Sequence, residues 1–404
     1  MTRKTAGICI YTAIVFITLL FQCMSNNIVG LLLGNIMRDY SINLAAGGVM
    51  AAFQNIGGAL SIILLACIMD KLNKMAVLIV PLALLAISLL LIGSGLPFCI
   101  FLVSFLLFGI ALATINMLVN AIVSDVHREN HNAALNLLHC VAPIGAIFIP
   151  VIIGNATEAG MPWQDIYIYV GIMMLVVTAG YSIAYAAMRS KLAAPGIHDT
   201  RILVKGTPIS FFRDRRVWLA MICMLMHGCC HSGIVVWIVQ YSKDVFHADA
   251  VLAGLGLTFF WLSTSVIRLL FGVTRLKKLN PLNVLALWSV LGGCALAAGV
   301  LSNNITVLLI SMLVCGCCIS PAIPAIVSLL TGWYHTRTGL ASSAAFTMLY
   351  AANAVSPLLM GVVASMWGMQ AMMFIPIIAS CLSGFAAIPL LHTSGKRRAV
   401  SQSK

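Results

Sequence analysis

Apolar runs of membrane-spanning length recur along this chain at roughly 7–34, 44–69, 75–94, 97–123, 133–156 and 165–188. They recur again at 216–240, 250–273, 282–301, 304–331, 339–364 and 368–391. About 20 apolar residues suffice for a helix to cross the hydrocarbon of a bilayer. In lipid only helices and closed barrels satisfy every backbone polar group, and runs of this length are helical. Only 8% of the residues are charged and 61% are hydrophobic. A soluble domain carries roughly 25% charged residues. The expected fold is therefore an all-α polytopic membrane protein of twelve transmembrane helices in two six-helix bundles. The bundles cover 1–188 and 216–392, with a polar linker at 189–215 and a basic tail at 393–404.

The charges predict the orientation. With the N-terminus inside, all but Arg38, Lys243 and Arg268 of the 23 Lys and Arg fall on the cytoplasmic side or in its linker and tail. The reverse topology would break the positive-inside rule. Both termini are thus expected in the cytoplasm, and the plasma membrane is the expected location. The net charge of +13 is spread over inner loops and not gathered on a folded domain, so nucleic acid is not an expected partner. The expected partners are the lipid bilayer and a small-molecule solute, and the chain is expected to act as a monomer. The first apolar run, behind Met1–Lys4, lacks a cleavage site and reads as a retained helix.

Two apolar runs inside Gly109–Pro150 flank the charged hairpin Asp125-Val-His-Arg-Glu-Asn-His131. Asn116 and Asn120 are four apart and share one helical face; so do Asn136 and His139, three apart. Further polar residues inside the runs are Asn26 and Asn27, Gln54 and Asn55, His227, His231 and Gln240, and Tyr350 and Asn353. Amides and imidazole both donate and accept, which suits a hydroxyl-rich neutral solute. Trp237 and Trp261 offer ring faces for stacking. The expected substrate-binding set is Asn26, Asn27, Asn116, Asn120, His139, His231, Trp261 and Asn353. Each Asn has a second reading as glue between helices.

All ten Asp and Glu lie in loops or at helix ends. Proton and cation relays usually rest on buried carboxylates. Arg268 is the one charge within a span and is read as a gate or inter-helix anchor, with substrate contact as the other option. The loops Asp70-Lys-Leu-Asn-Lys74 and Gly272–Lys278 supply Asp70, Lys74 and Arg275 as candidate latch residues beside it. Cys315, Cys317 and Cys318 read as packing residues, and His227 with His231 lacks a third ligand type. No metal and no cofactor is expected. No catalytic motif stands out, so the chain is not expected to be an enzyme.

The two halves echo each other. Asn120-AIVS-Asp125 ends the fourth run and Pro324-AIVS-Leu329 the tenth. Pro150-VII-Gly154 in the fifth recurs as Pro357-LLM-Gly361 in the eleventh. Repeated six-helix halves with a solute site at their interface are a transporter design.

On these residues the chain resembles the major facilitator superfamily, and within it the fucose permease branch of fucose–galactose–glucose:proton symporters. Asn26-Asn27 with Gly30 matches that branch's asparagine pair followed by an acid. Asn116-x-x-x-Asn120 matches its acid-x-x-x-Asn. Leu135-Asn-Leu-Leu-His139 matches a segment ending in a sugar-contacting amide. The resemblance implies a secondary transporter of a small polar solute, a neutral sugar or similar metabolite, working by alternating access. The departures bear on coupling: both family carboxylates are replaced, by Gly30 and Asn116, so the resemblance does not carry proton coupling over. Uniport, coupling through His139 or His231, and a cation held by carbonyls and amides stay open. The alternatives are a drug or metabolite exporter and a non-transporting membrane sensor on a transporter fold.

Overall fold

A computed structural model describes residues 3–66, 73–127, 131–192, 209–273, 279–334 and 338–402. Among them the secondary structure is helical throughout. The chain divides into two compact units, one of Met1–Ile42 with Met50–Arg201 and one of Asn43–Val49 with Ile202–Lys404.

The first unit is built from α1 (Arg3–Asp39), α2 (Leu44–Ala66) from Met50 onward, α3 (Ile79–Gly93), α4 (Phe98–Val126), α5 (His131–Glu158) and α6 (Trp163–Leu192). A single turn, Lys74–Val77, precedes α3 and is capped by Asn73, whose side chain accepts from the Ala76 N–H. Such a cap satisfies an N–H that the helix leaves without a carbonyl. The main helix pairs are α3 with α6, α1 with α5 and α3 with α4. Gly109 lets α4 meet α2 backbone to backbone: a Cβ there would sit 1.7 Å from the Gln54 carbonyl oxygen. At one end of the unit Tyr40 donates to the Leu96 carbonyl at 2.6 Å and its ring lies 4.9 Å from that of Phe101. Toward the other end the buried Tyr11 and Tyr181 hydroxyls bond at 2.6 Å, and Tyr181 donates onward to the Met75 carbonyl.

The second unit holds α7 (Arg215–Phe246), α8 (Ala250–Val273), α9 (Pro281–Leu301), α10 (Ile305–Trp333), α11 (Thr338–Trp367) and α12 (Phe374–Gln402). α9 contains one wide π turn, Val284–Trp288, and α10 is interrupted between Ile319 and Ala322. The interruption falls at Ser320-Pro321, where proline supplies no N–H for the preceding turn. α7 packs on both α11 and α12, and α8 on α10. Asp214 caps α7, Asn280 caps α9 and Asn304 caps α10. α12 runs on through the stretch expected as a tail, to Gln402.

Among the described residues ten helices are long and apolar enough to cross a membrane. α2 and α5, with 23 and 28 residues, have the length as well, which accommodates the expected twelve. Both units expose large apolar side chains, Leu64, Val80, Ile183 and Trp367 among them. Such a surface is costly in water and natural against lipid tails.

Candidate functional site

The polar side chains of the first unit lie in two groups. In α1 and α2, Gln54 donates from Nε2 to Asn26 Oδ1 at 2.7 Å, and both side chains are half-buried. The neighbouring Asn27 is buried and donates to the Cys23 carbonyl of its own helix at 2.8 Å. One step along a helix is a rotation of about 100°, so adjacent asparagines point to different surroundings. In α4, Asn116 is exposed and Asn120 half-buried. Asn120 Nδ2 donates to both the carbonyl and the Oδ1 of Asn116, at 2.7 and 2.8 Å. The pair shares one face, and the Asn116 Nδ2 donor edge lies opposite the oxygen that Asn120 binds.

His139 belongs to α5, but its side chain, like that of Asn136, lies outside the described residues. Asp70 and Arg275 also fall outside them. Lys74 opens the short turn before α3 and is half-buried.

The second unit brings four of the expected residues onto neighbouring elements. His231 of α7 stands edge-on to Trp261 of α8 with ring centroids 5.5 Å apart, and 5.7 Å from Phe260. His227, one turn away and 6.1 Å from His231, is buried, whereas His231 is half-exposed. Arg268 donates from Nε to Ser320 Oγ at 3.1 Å, and Ser320 donates to the Thr264 carbonyl at 3.0 Å. Ser320 thus fixes one edge of the guanidinium from the interruption in α10. Asn353 of α11 buries its Oδ1 without a hydrogen-bond partner among the described residues. It lies one turn before Pro357, whose carbonyl accepts from Trp237 Nε1 at 3.1 Å.

α8 has three faces. Phe260, Ser263, Thr264 and Ile267 are buried; Leu262, Val266, Leu269 and Leu270 are exposed and apolar, as a lipid-facing stripe is. Trp261, Ser265 and Arg268, three and four residues apart, form a third face that is polar and half-exposed. Spacing places Arg268 on a face with Trp261 and with Thr264 or Ser265; the structure selects Ser265 for that face, and Phe260 and Ser320 are additions to it. Phe260 adjoins a candidate in the chain, and the Ser-Pro step at 320 was the available signal of a helix break. Among the described residues no group of three or more His, Cys, Asp or Glu side chains is arranged to hold a metal ion.

The sequence profile of the Major Facilitator Superfamily matches residues 15–297. The chain belongs to the major facilitator superfamily. Among curated protein sequences nothing matches it. Among solved structures, this superfamily member is similar to a bacterial homolog of the human lysosomal transporter Spinster in an inward-facing, unoccupied conformation. The TM-score is 0.75 at 12% identity over 96% of this chain and 98% of that one. It is also similar to the nucleoside transporter NupG, with a TM-score of 0.70 at 14% identity over 95% and 99% of the two chains. At such identities the likeness is one of fold. Superfamily membership makes the chain a multi-pass membrane protein with a transporter's fold; the fucose permease branch is not singled out by these relatives.

Proposed function

We propose that this protein is a secondary transporter that moves a small, hydroxyl-bearing solute across the plasma membrane by alternating access. The observation that carries the reading is the third face of α8: Trp261, Ser265 and Arg268 form a half-exposed polar stripe on a helix whose other exposed face is apolar. A polar face that is neither buried nor fit for lipid belongs against water or solute. In the first unit the half-buried amides Asn26 and Gln54, and the exposed Asn116 with the half-buried Asn120, supply both donors and acceptors. His139 and Asn353 complete the proposed set. Neutral sugars and their close derivatives are the first class to test, because amides pair well with hydroxyl groups.

Gly30 and Asn116 stand where the fucose permease branch has acids, which favours transport without a carboxylate-borne proton. The cytoplasmic placement of both termini rests on the positive-inside distribution of Lys and Arg. Asp70, Lys74 and Arg275 keep their proposed role as a latch at the inner loops.

Purified protein in liposomes, loaded with unlabelled sugars and sugar derivatives and diluted into the radiolabelled solute, tests the reading by counterflow. Exchange without any imposed gradient is the expected result. Absence of exchange across both neutral and charged members of the panel would overturn it.

A further inference from the structure

The start of α7 is held from several sides. The single turn Ile209–Phe212 leads into it, and Phe211 of that turn is buried with its ring 4.8 Å from that of Tyr334. Asp214 caps the helix while its carboxylate holds Arg216 and accepts from the Tyr334 hydroxyl. The Arg216 guanidinium lies over the Trp333 ring, 5.3 Å from its centroid. Trp218 donates from Nε1 to the Phe212 carbonyl at 2.7 Å, which ties the turn to the helix that follows. Phe211, Asp214, Arg216 and Trp218 thus fix the backbone between them.

The other side chains of this stretch are left on the surface. Phe212 and Trp218 are 40% and 46% exposed, and Arg213 and Arg215 are exposed as well. Arg215 and Trp218 are three apart and share one face of α7. The Phe212 ring stands 6.4 Å from the Trp218 ring. Asp214 lies between the two arginines in the chain, but its charge is taken by Arg216. Among the described residues the side chains of Arg213 and Arg215 have no ion pair or hydrogen bond. The membrane-spanning part of α7 begins at Arg215, so the patch stands at the edge of the span.

Aromatic side chains at that depth lie at headgroup level, and cations there also serve topology. Topology needs only charge. It needs neither a guanidinium nor a fixed frame with two exposed rings beside it. The planar fork of arginine matches a phosphate two-on-two, whereas an ammonium acts as a point charge.

We propose that this patch binds an anionic phospholipid. Arg213 and Arg215 take the phosphodiester, and Phe212 with Trp218 take the glycerol and the upper acyl chain. A zwitterionic lipid fits less well, because its choline group brings a cation beside two uncompensated arginines. The exposed rings at the edge of a span favour a lipid over a free anion. The inference needs only that α7 crosses the membrane, and it is independent of what the protein carries.

The test uses the full-length protein in vesicles whose lipids carry bromine on the acyl chains near the glycerol. Bromine quenches an indole that it touches, and the emission lost in Trp218→Phe isolates Trp218 from the other tryptophans. Brominated phosphatidylglycerol should quench Trp218 at a several-fold lower mole fraction than brominated phosphatidylcholine, and high salt should narrow the gap. Arg213→Gln and Arg215→Gln should each lower the preference about fivefold, the equivalent of about 1 kcal/mol for one basic residue near an anionic surface. Equal quenching by the two lipids overturns the proposal, as does a preference that survives in the double arginine variant. Inorganic phosphate that displaces the lipid through the same arginines would assign them to a free anion, which also overturns it. Should Trp218→Phe fold poorly, native mass spectrometry decides. The wild type should retain phosphatidylglycerol that the double arginine variant loses, and equal retention overturns the assignment.

Discussion

Gln54 and Asn26 are joined at 2.7 Å, amide to amide, across α2 and α1. The bond ties two helices of the first unit and leaves each amide a second polar group for a solute. Interhelical hydrogen bonds of this kind contribute about 0.6 kcal/mol on average and up to about 1.7 kcal/mol. Gln54→Ala and Asn26→Ala should each lower the thermal stability of the detergent-solubilised protein by that order. The double variant should cost less than the sum of the two, since both remove the same bond. Additive losses in a thermal-shift cycle would show that the bond carries nothing.

The contact at Gly109 is less forgiving. A methyl group there meets the Gln54 carbonyl at 1.7 Å, a backbone atom that cannot rotate away. Gly109→Ala should separate α4 from α2 and cost 1 to 3 kcal/mol, the range of about 1 to 3 kcal/mol typical of overpacking. Gly180 in α6 has nothing within 4 Å of the same added atom. Gly180→Ala should be neutral or slightly stabilising, by up to about 1 kcal/mol from helix propensity. Monodisperse yield on size exclusion separates the two; equal yields would contradict the close approach.

Asn116 of α4 is exposed, with Asn120 bonded to its oxygen. Asn116→Ala should reduce uptake at least tenfold while membrane expression holds, and His139→Ala should do the same. Uptake retained in both variants would remove them from the substrate-binding set. Asn116→Asp places a carboxylate on the exposed side of α4, and uptake should then gain a dependence on external pH that the parent lacks.

Asp214 caps α7 while its carboxylate holds Arg216 at 2.6 Å and the Tyr334 hydroxyl at 2.9 Å. The Arg216 hydrogen bonds, aided by the one from Tyr334, lower its pKa from 3.8 to about 2. A folded-state pKa below the unfolded one stabilises the fold when the group is ionised. The contribution is full above the unfolded value and is lost as pH falls from about 4 through about 2. Its size is on the order of 1 to 2 kcal/mol for a group this near the surface. Asp214→Asn keeps an oxygen for the cap and removes the charge, so it should lower stability at pH 7 by that amount and flatten the acid limb of the thermal-stability profile. An unchanged acid limb would refute the assignment.

The spans were legible in the sequence because each needs only a long apolar run, and the backbone in lipid has no alternative to a helix. The structure adds the helix starts: Asp214, Asn280 and Asn304 cap α7, α9 and α10 by accepting from an open N–H. Residues sharing a face could be paired by spacing alone, as Asn116 with Asn120 and Trp261 with Arg268.

Which face each pair presents was decided by neighbours distant in the chain. His227 and His231 share a face by spacing, yet His227 is buried while His231 stays partly exposed with Phe260 and Trp261 of α8 beside it. Asn26 and Asn27 are chemically alike, but Asn26 meets Gln54 and Asn27 turns to its own helix. Ser320, a small residue at a proline break, became the partner of Arg268 only when α8 and α10 closed to backbone contact at Gly316. Hydrophobic length is a property of one segment and can be read from it. Burial and hydrogen-bond partners are properties of two segments at close approach, and the shapes that set that approach exist only in the folded chain.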